Sequence, residues 1–444
     1  MERFDVIVVG TGVAGQTAVG ELSMAGKKVA VVDKRAFGGT CALRGCEPKK
    51  VLFAAAEVVE RAAAQAGDGP AGELRLDWPS LIAFKRTFTD PMPLMIEKMF
   101  VDGGATVIHG NARFISKDAI EVDGTKYSAE HFVLATGALP LPLGIPGAEL
   151  VLDNEQFMAS DTLGGRVVFI GGGYISFEFA HMAASAGAKV TVLHRSAQVL
   201  KEFDSDLAEM LVRGYRDAGI DVRTNAPVAG VRRTDHDLEV VLADGTVVQC
   251  DMVVHGAGRM PDLAGLNLET AGVAYGRHGI EVDSSMRSTT NPQVFAAGDC
   301  AALGAPLTPV GIAQARVARA NILEPGSAAF SPKAVPSVVF SNPPMASVGM
   351  SEAEAASQGL DIEVKLSDTS AWASSRRTGT HVSGAKTIVE HGTGRILGAH
   401  LLGHGADEVI NVFAAAMMAG LTASDLKAGI CAYPTGSSEI EHLL

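Results

Sequence analysis

Cysteine is scarce in this 444-residue chain: five occur, at positions 41, 46, 250, 300 and 431. So few exclude a disulfide-stapled fold and fit a reducing compartment with one functional pair. Long apolar runs are missing as well; none reaches the roughly 18 residues of a membrane-spanning helix. Cations are in deficit, with 37 Lys and Arg against 50 Asp and Glu. The resulting charge of −13 argues against nucleic acid and anionic membranes as partners, and is otherwise ordinary solubility. Charged residues make up 20% against 47% hydrophobic, which excludes a disordered chain. The opening Met1–Asp5 enters a strand pattern at once with no signal peptide, so a cytoplasmic location is expected. The length calls for two to four domains.

Glycine is plentiful, with 50 residues, and it falls in two telling places. Val6–Val9 reads as a buried parallel strand and runs directly into Gly10-Thr11-Gly12-Val13-Ala14-Gly15. A helical stretch to Ala25 and a second strand, Lys28–Val32, follow, ending in Asp33. Such glycines allow a tight turn and a close approach to a pyrophosphate on a helix N-terminus, while the acid receives ribose hydroxyls. The pattern recurs: strand Val167–Ile170, then Gly171-Gly172-Gly173-Tyr174-Ile175-Ser176, a helix to about Ala186, and strand Lys189–Leu193. Here the second strand ends in His194-Arg195, with Lys201 beyond and no acid at its tip. Cations at that place favour a 2′-phosphate, so the second unit reads as binding NADPH.

Between the two units, residues 75–112 read as mostly helical, broken at Asp90-Pro91-Met92-Pro93. Phe84, Phe88, Met92, Met95 and Met99 form a stripe there that reads as core. From residue 330 β-rich runs such as Pro336–Phe340, then a helix near 406–419, suggest a separate α+β domain.

Cys41 and Cys46 lie about one βαβ unit after the first glycine turn, in Gly38-Gly39-Thr40-Cys41-Ala42-Leu43-Arg44-Gly45-Cys46-Glu47-Pro48-Lys49-Lys50. On a straight helix, positions five apart are offset by ~7.5 Å and point in different directions. A disulfide needs Cα atoms roughly 4.4–6.8 Å apart, so pairing these two requires a distorted turn, which Gly45 can supply. A strained, accessible bridge suits redox work. The alternatives are two unpaired core thiols or half of a zinc site, and no second Cys/His cluster offers the other half. His400, His404 and His442 lack ligand spacing, so no metal is assigned. Cys250, Cys300 and Cys431 read as buried apolar thiols, with Cys431 two residues from Tyr433.

Taken together, these segments resemble the FAD-dependent class I pyridine nucleotide–disulfide oxidoreductases, the group of glutathione reductase, dihydrolipoamide dehydrogenase and mercuric reductase. Further motifs carry the likeness over nearly the whole chain: Ala135-Thr136-Gly137, Gly256-Ala257-Gly258-Arg259, Val294–Asp299, Leu307-Thr308-Pro309-Val310 and Val339–Pro344. The resemblance implies an α/β fold with two Rossmann-like FAD- and NAD(P)-binding domains and a C-terminal α+β dimerisation domain. Expected divisions are 1–145 (FAD, with the redox disulfide), 146–262 (NADPH), 263–330 (return to the FAD-binding centre) and 331–444 (dimerisation). It implies that Gly10, Gly12, Gly15, Asp33, Gly39, Thr40, Thr136, Gly137, Gly298 and Asp299 hold FAD, with Thr308 near the ring. Gly171, Gly173 and Gly258 would serve NADPH, Arg195 and Lys201 its 2′-phosphate, and Tyr174 would move aside for nicotinamide. Lys49 and Glu178 would pair beside the flavin. Cys46 would be the flavin-proximal sulfur and Cys41 the thiol that attacks substrate. A homodimer would lend each tail to the partner's site.

The departures carry as much information. Relatives place a His-Pro base near the C-terminus, held by a glutamate five residues on; here the run is Ala432-Tyr433-Pro434-Thr435-Gly436-Ser437-Ser438-Glu439. Tyr433 replaces the histidine, and Ser438 the glutamate unless Glu439 has shifted by one. A phenol ionises near ~10 and an imidazole near ~6.5, so a tyrosine donates a hydrogen bond but is a poor base. Glutathione contacts are thin: Phe88, Ile96 and Gly20 stand at three of their positions, and Arg316 alone is retained. Trp372–Arg377 could reach the partner's site or be ordinary interface. The expected activity is NADPH-dependent reduction of a disulfide other than glutathione's, small or carrier-bound. A metal-ion or quinone reductase is the second reading, and an FAD-holding redox sensor without turnover the third.

Overall fold

The computed structural model of the protein describes residues 1–69 and 72–444. The chain divides into two compact units. Unit 1 comprises Met1–Lys50, Ala83–Leu141 and Arg259–Ser331; unit 2 comprises Val51–Ile82, Pro142–Gly258 and Pro332–Leu444.

Unit 1 is built on the parallel sheet that the first valine runs predict. Glu2–Val9 lies between Val29–Asp33 and Thr125–Leu134, with Val6 opposite Val29 and Val9 opposite Leu134. Thr106–His109 extends one side, and Val294–Ala296 pairs in parallel with the end of Thr125–Leu134. Val6–Val8, Val29–Val32 and Phe132–Leu134 are fully covered, as continuous apolar strands in parallel sheets require. Each buried valine or leucine contributes roughly 1.5–3 kcal/mol. Helices Val13–Met24 and Thr308–Leu323 pack on each other through small residues: Ala14, Gly311, Ala315 and Ala318. The second of these helices begins at Thr308.

Two expectations for this unit are corrected. The helical reading of 75–112 holds for Trp78–Thr89 and Met92–Asp102, but strands Thr106–His109 and Ala112–Ser116 take the end of it. The aromatic and methionine stripe is not core: Phe84, Phe88, Met95 and Met99 are each about half exposed, and Met92 alone packs inward. In the second helix Ile96 and Phe100, four residues apart, take the buried face, so Met95 and Met99 turn outward.

Among the described residues, unit 2 holds three sheets. Asp221–Arg223, Lys189–Leu193, Arg166–Ile170 and Met252–His255 make the second parallel sheet. A three-stranded antiparallel sheet is inserted in sequence between Asp221–Arg223 and Met252–His255. The C-terminal residues form a five-stranded antiparallel sheet covered by helix Ala406–Ala419 through Ile410, Phe413 and Ala414. Lys386, on a strand of this sheet and buried, pairs with Asp204, Asp206 and Glu352 at 2.5–3.0 Å. Asp204 also caps helix Ser205–Asp217 by accepting from the Asp206 and Leu207 amides. Burial opposes the charge of Lys386, but three carboxylates outweigh it and raise its pKa.

Candidate active site

The two thiols of unit 1 meet because one helix stops between them. Cys41 lies in Gly39–Arg44, the chain turns at Gly45, and Cys46 opens Cys46–Ala64. A Cβ on Gly45 would press to 3.0 Å on the Thr40 carbonyl, so glycine relieves a tight contact at the turn. Both cysteines are free thiols here and hydrogen-bonded to each other. The Thr308 hydroxyl lies 3.4 Å from Cys41 Sγ and 3.6 Å from Cys46 Sγ. Thr308, expected near the flavin ring, thus also touches both sulfurs.

The sulfurs are not equivalent. The hydrogen bond from Cys41 lowers the Cys46 pKa most; burial opposes it, while Thr308, Lys49 and Lys50 reinforce it, and the group falls to about 6. Cys41 moves strongly upward, because its proton is held in that bond, because it is desolvated, and because Cys46 carries charge beside it. At neutral pH the reduced pair therefore holds one proton, on Cys41. Ultraviolet thiolate absorbance of the reduced protein should rise with a midpoint near pH 6. Lys49→Met should move that midpoint up, since losing the cation disfavours the thiolate. A wild-type midpoint at the ordinary cysteine value of ~8.5 contradicts the assignment.

The first glycine turn is shaped around a close approach. Gly10 has φ +109°, and a Cβ there would collide with the Ala135 carbonyl, while Gly39 sits directly on the Gly12 backbone. Gly12 caps helix Val13–Met24 with no side-chain acceptor, and Gly15 packs against Gly10. Asp33 accepts from the Thr11 amide and hydroxyl at 2.8 and 2.6 Å and from the Arg35 amide at 2.9 Å. Thr136 and Gly137 follow the central strand Thr125–Leu134, and the Gly137 carbonyl accepts from Asp262. The Gly298 amide donates to Gln314 Oε1 at 2.8 Å, which fixes the turn bearing Asp299. Burial raises the Asp299 carboxyl, with Arg259 opposing.

In unit 2 the second turn repeats the design. Gly171 has φ +116°, and a Cβ on it would meet Gly256 and Ala257. Gly173 caps Tyr174–Ser185 without a side chain, and the buried Ser176 hydroxyl there has no hydrogen-bond partner. Tyr174 is about half exposed and Glu178 is buried, accepting from the Phe340 amide at 3.2 Å. Arg195 and Lys201 are exposed, and their charges, after burial, help lower the pKa of His194. Gly258 closes the segment after Met252–His255 with φ +121°.

Residues 4–321 match the family model of pyridine nucleotide-disulphide oxidoreductases, and 335–444 match the dimerisation domain of the same family. The chain belongs to this family. It is 32% identical over 438 residues to a glutathione reductase of Burkholderia cepacia, covering 98% of this chain and 97% of that one. To a mercuric reductase of Lysinibacillus sphaericus it is 28% identical over 449 residues, covering 98% and 81%. Among solved structures, the copper(II) complex of the HOCl-induced flavoprotein disulfide reductase RclA from Escherichia coli superposes with a TM-score of 0.90. That match is 29% identical and covers 100% of this chain and 99% of that one. The chain is accordingly an oxidoreductase that uses FAD and NAD(P)H. Both glycine turns fit the groups: each leaves room only for backbone, and each faces a helix start with uncapped amides.

Other expected residues are placed separately. Lys49 belongs to unit 1 and Glu178 to unit 2. Tyr433 is 88% exposed in unit 2, in the segment Gly429–Thr435 where every residue is exposed. Ser438 is occupied locally: its hydroxyl donates to the Thr435 carbonyl and accepts from the Thr435 amide. Arg377 donates to the Pro434 carbonyl at 3.5 Å, and Trp372 lies edge-on to His442. Arg316 pairs with Glu21 at 3.0 Å. Cys250 and Cys300 are buried as expected, but Cys431 is exposed, because its segment has no regular structure to cover it. Sequence reasoning missed Thr11, fully buried, which links Asp33 to the Gly38 amide. A hydroxyl at the second position of the glycine turn was the available signal.

Proposed function

We propose that this protein is a homodimeric NADPH-dependent flavoprotein that delivers electrons through Cys41 and Cys46 to a disulfide other than glutathione's. The observation that carries the reading is the thiol pair itself, with one sulfur held as thiolate and the other as thiol around the Thr308 hydroxyl. When bound, FAD supplies the centre that accepts a hydride from NADPH and returns two electrons to a disulfide. Cys46, at a helix start and under two lysines, is the sulfur suited to remain charged. Cys41 attacks the acceptor disulfide after losing its proton, forming a mixed disulfide and releasing one thiolate, which takes a proton. Cys46 then attacks Cys41, closing the internal disulfide and releasing the second thiolate. Tyr433, from the exposed tail, supplies a hydrogen bond to the partner's thiols, and Glu178 and Lys49 act as the paired charges of the nicotinamide side.

A second reading is reduction of a metal ion, favoured by the copper(II) complex of RclA. A metal ion leaves no thiolate in need of a proton, which suits a site with tyrosine in place of histidine. The discriminating experiment is steady-state NADPH oxidation with a panel of disulfides, quinones, Hg(II) and Cu(II). Turnover of at least one non-glutathione disulfide supports the proposal; turnover of metal ions alone supports the second reading. Flavin bleaching that no acceptor reverses would indicate a sensor.

NADPH should be preferred over NADH because Arg195 and Lys201 lie beyond the end of the second strand of the unit, Lys189–Leu193. A planar guanidinium matches a phosphate better than an ammonium does. Losing one charge-assisted contact costs roughly 1.5–3 kcal/mol, so Arg195→Ala should reduce the NADPH-to-NADH ratio of kcat/KM by about 10–100-fold. A wild-type preference for NADH contradicts this.

A further inference from the structure

Helix Tyr174–Ser185 buries two ionisable side chains less than one turn apart, Glu178 and His181. His181 Nδ1 lies 3.0 Å from Glu60 Oε1 and its Nε2 lies 3.1 Å from the Phe340 carbonyl. Both partners are acceptors, so both ring nitrogens must donate, and the ring is an imidazolium. Glu60 Oε1 also accepts from Ser185 Oγ at 2.6 Å. The Phe53 ring stands edge-on to both His181 and Phe340.

The Phe340 peptide joins the two ends of this cluster. Its carbonyl accepts from His181, and its amide donates to Glu178 Oε1 at 3.2 Å. The charged groups that act on the ring are Glu60 from helix Cys46–Ala64 and Glu178 from its own helix; Tyr215 from helix Ser205–Asp217 feels the same two carboxylates. Burial lowers the pKa of His181, but Glu60, the Phe340 carbonyl and Glu178 outweigh it, and the net direction is upward. One buried positive charge therefore stands with two carboxylates acting on it.

We propose that His181 is a positioning residue: held between Glu60 and the Phe340 carbonyl, it fixes the peptide whose amide holds Glu178, and its charge keeps Glu178 ionised for reduction by NADPH. This rests on the role given to Glu178 above. His181→Gln keeps a donor of similar reach and removes the charge. Without that charge Glu178 protonates more readily, so the acid limb of NADPH-driven flavin reduction should move up by about one pH unit. The rate on the alkaline side should stay within about twofold.

A second readout does not use activity. A group whose folded pKa is raised contributes stability below its unfolded pKa of ~6.5 and loses it as pH rises through the folded value. The Tm difference between wild type and H181Q should therefore be larger at acid pH than at alkaline pH. His181→Asn, which adds no bulk, serves the same test if H181Q does not accumulate. An acid limb unchanged from wild type, or a Tm difference that does not vary with pH, would overturn the inference. Glu178→Gln separates the two claims: if it leaves flavin reduction intact, the role of Glu178 fails; if it impairs reduction while H181Q does not shift the limb, only the inference fails.

Discussion

Cys41→Ser should abolish turnover of disulfide acceptors while leaving FAD bound and its reduction by NADPH intact. Serine cannot form the mixed disulfide, and a mixed disulfide on Cys46, the one sulfur of the pair that remains, has no second thiol to resolve it. Cys46→Ser should also stop turnover: the mixed disulfide on Cys41 would persist, because no second sulfur displaces it. Mass spectrometry after one cycle distinguishes these outcomes. Acceptor trapped on Cys41 in the Cys46→Ser variant supports the assignment. Acceptor trapped on Cys46 in Cys41→Ser, at the wild-type rate, reverses the roles.

Glutathione disulfide should be a poor acceptor, and the expected effect is nearly as large. Its reduction releases a thiolate that must be protonated, and the attacking thiol must first lose a proton that the structure holds firmly on Cys41. An imidazole cycles between both states near neutrality; a phenol does not. General acid–base help is typically worth ~10²–10⁴-fold, so kcat/KM for glutathione disulfide should fall below that of a relative with the histidine base by a factor in that range. Phe88, half exposed, and Ile96, buried, offer the peptide no polar contact, and Arg316 is already paired with Glu21. Steady-state assays with millimolar glutathione disulfide read this directly. Rapid turnover would mean that another group, such as Glu439 or His442, acts as base. Tyr433→Phe isolates the hydroxyl: unchanged activity on the preferred acceptor would make Tyr433 a packing residue.

The parts of the molecule legible in the sequence are those fixed by short-range constraints. Gly10 and Gly171 were readable because only glycine accepts their backbone angles and the contacts behind them. Lys189–Leu193 and Ala406–Ala419 followed from apolar runs and periodicity. What stayed hidden depends on distant partners. Phe84 and Met95 have the composition of core, and only the placement of Ile96 and Phe100 decides that they face outward. Cys431 looks like any small apolar thiol until the loop around it proves uncovered. His181 and Glu60 stand 121 residues apart, and no local pattern links them. Thr308 was placed beside the flavin by resemblance, yet its contact with both thiols came only with the fold.

The most direct test of the account is an anaerobic titration of the oxidised holoenzyme with NADPH, followed by quantitative alkylation and peptide mapping. One equivalent of NADPH should convert Cys41 and Cys46 together from disulfide to thiols, with Cys250, Cys300 and Cys431 unchanged. Flavin reduction by NADPH with no new thiols at Cys41 and Cys46 would contradict it.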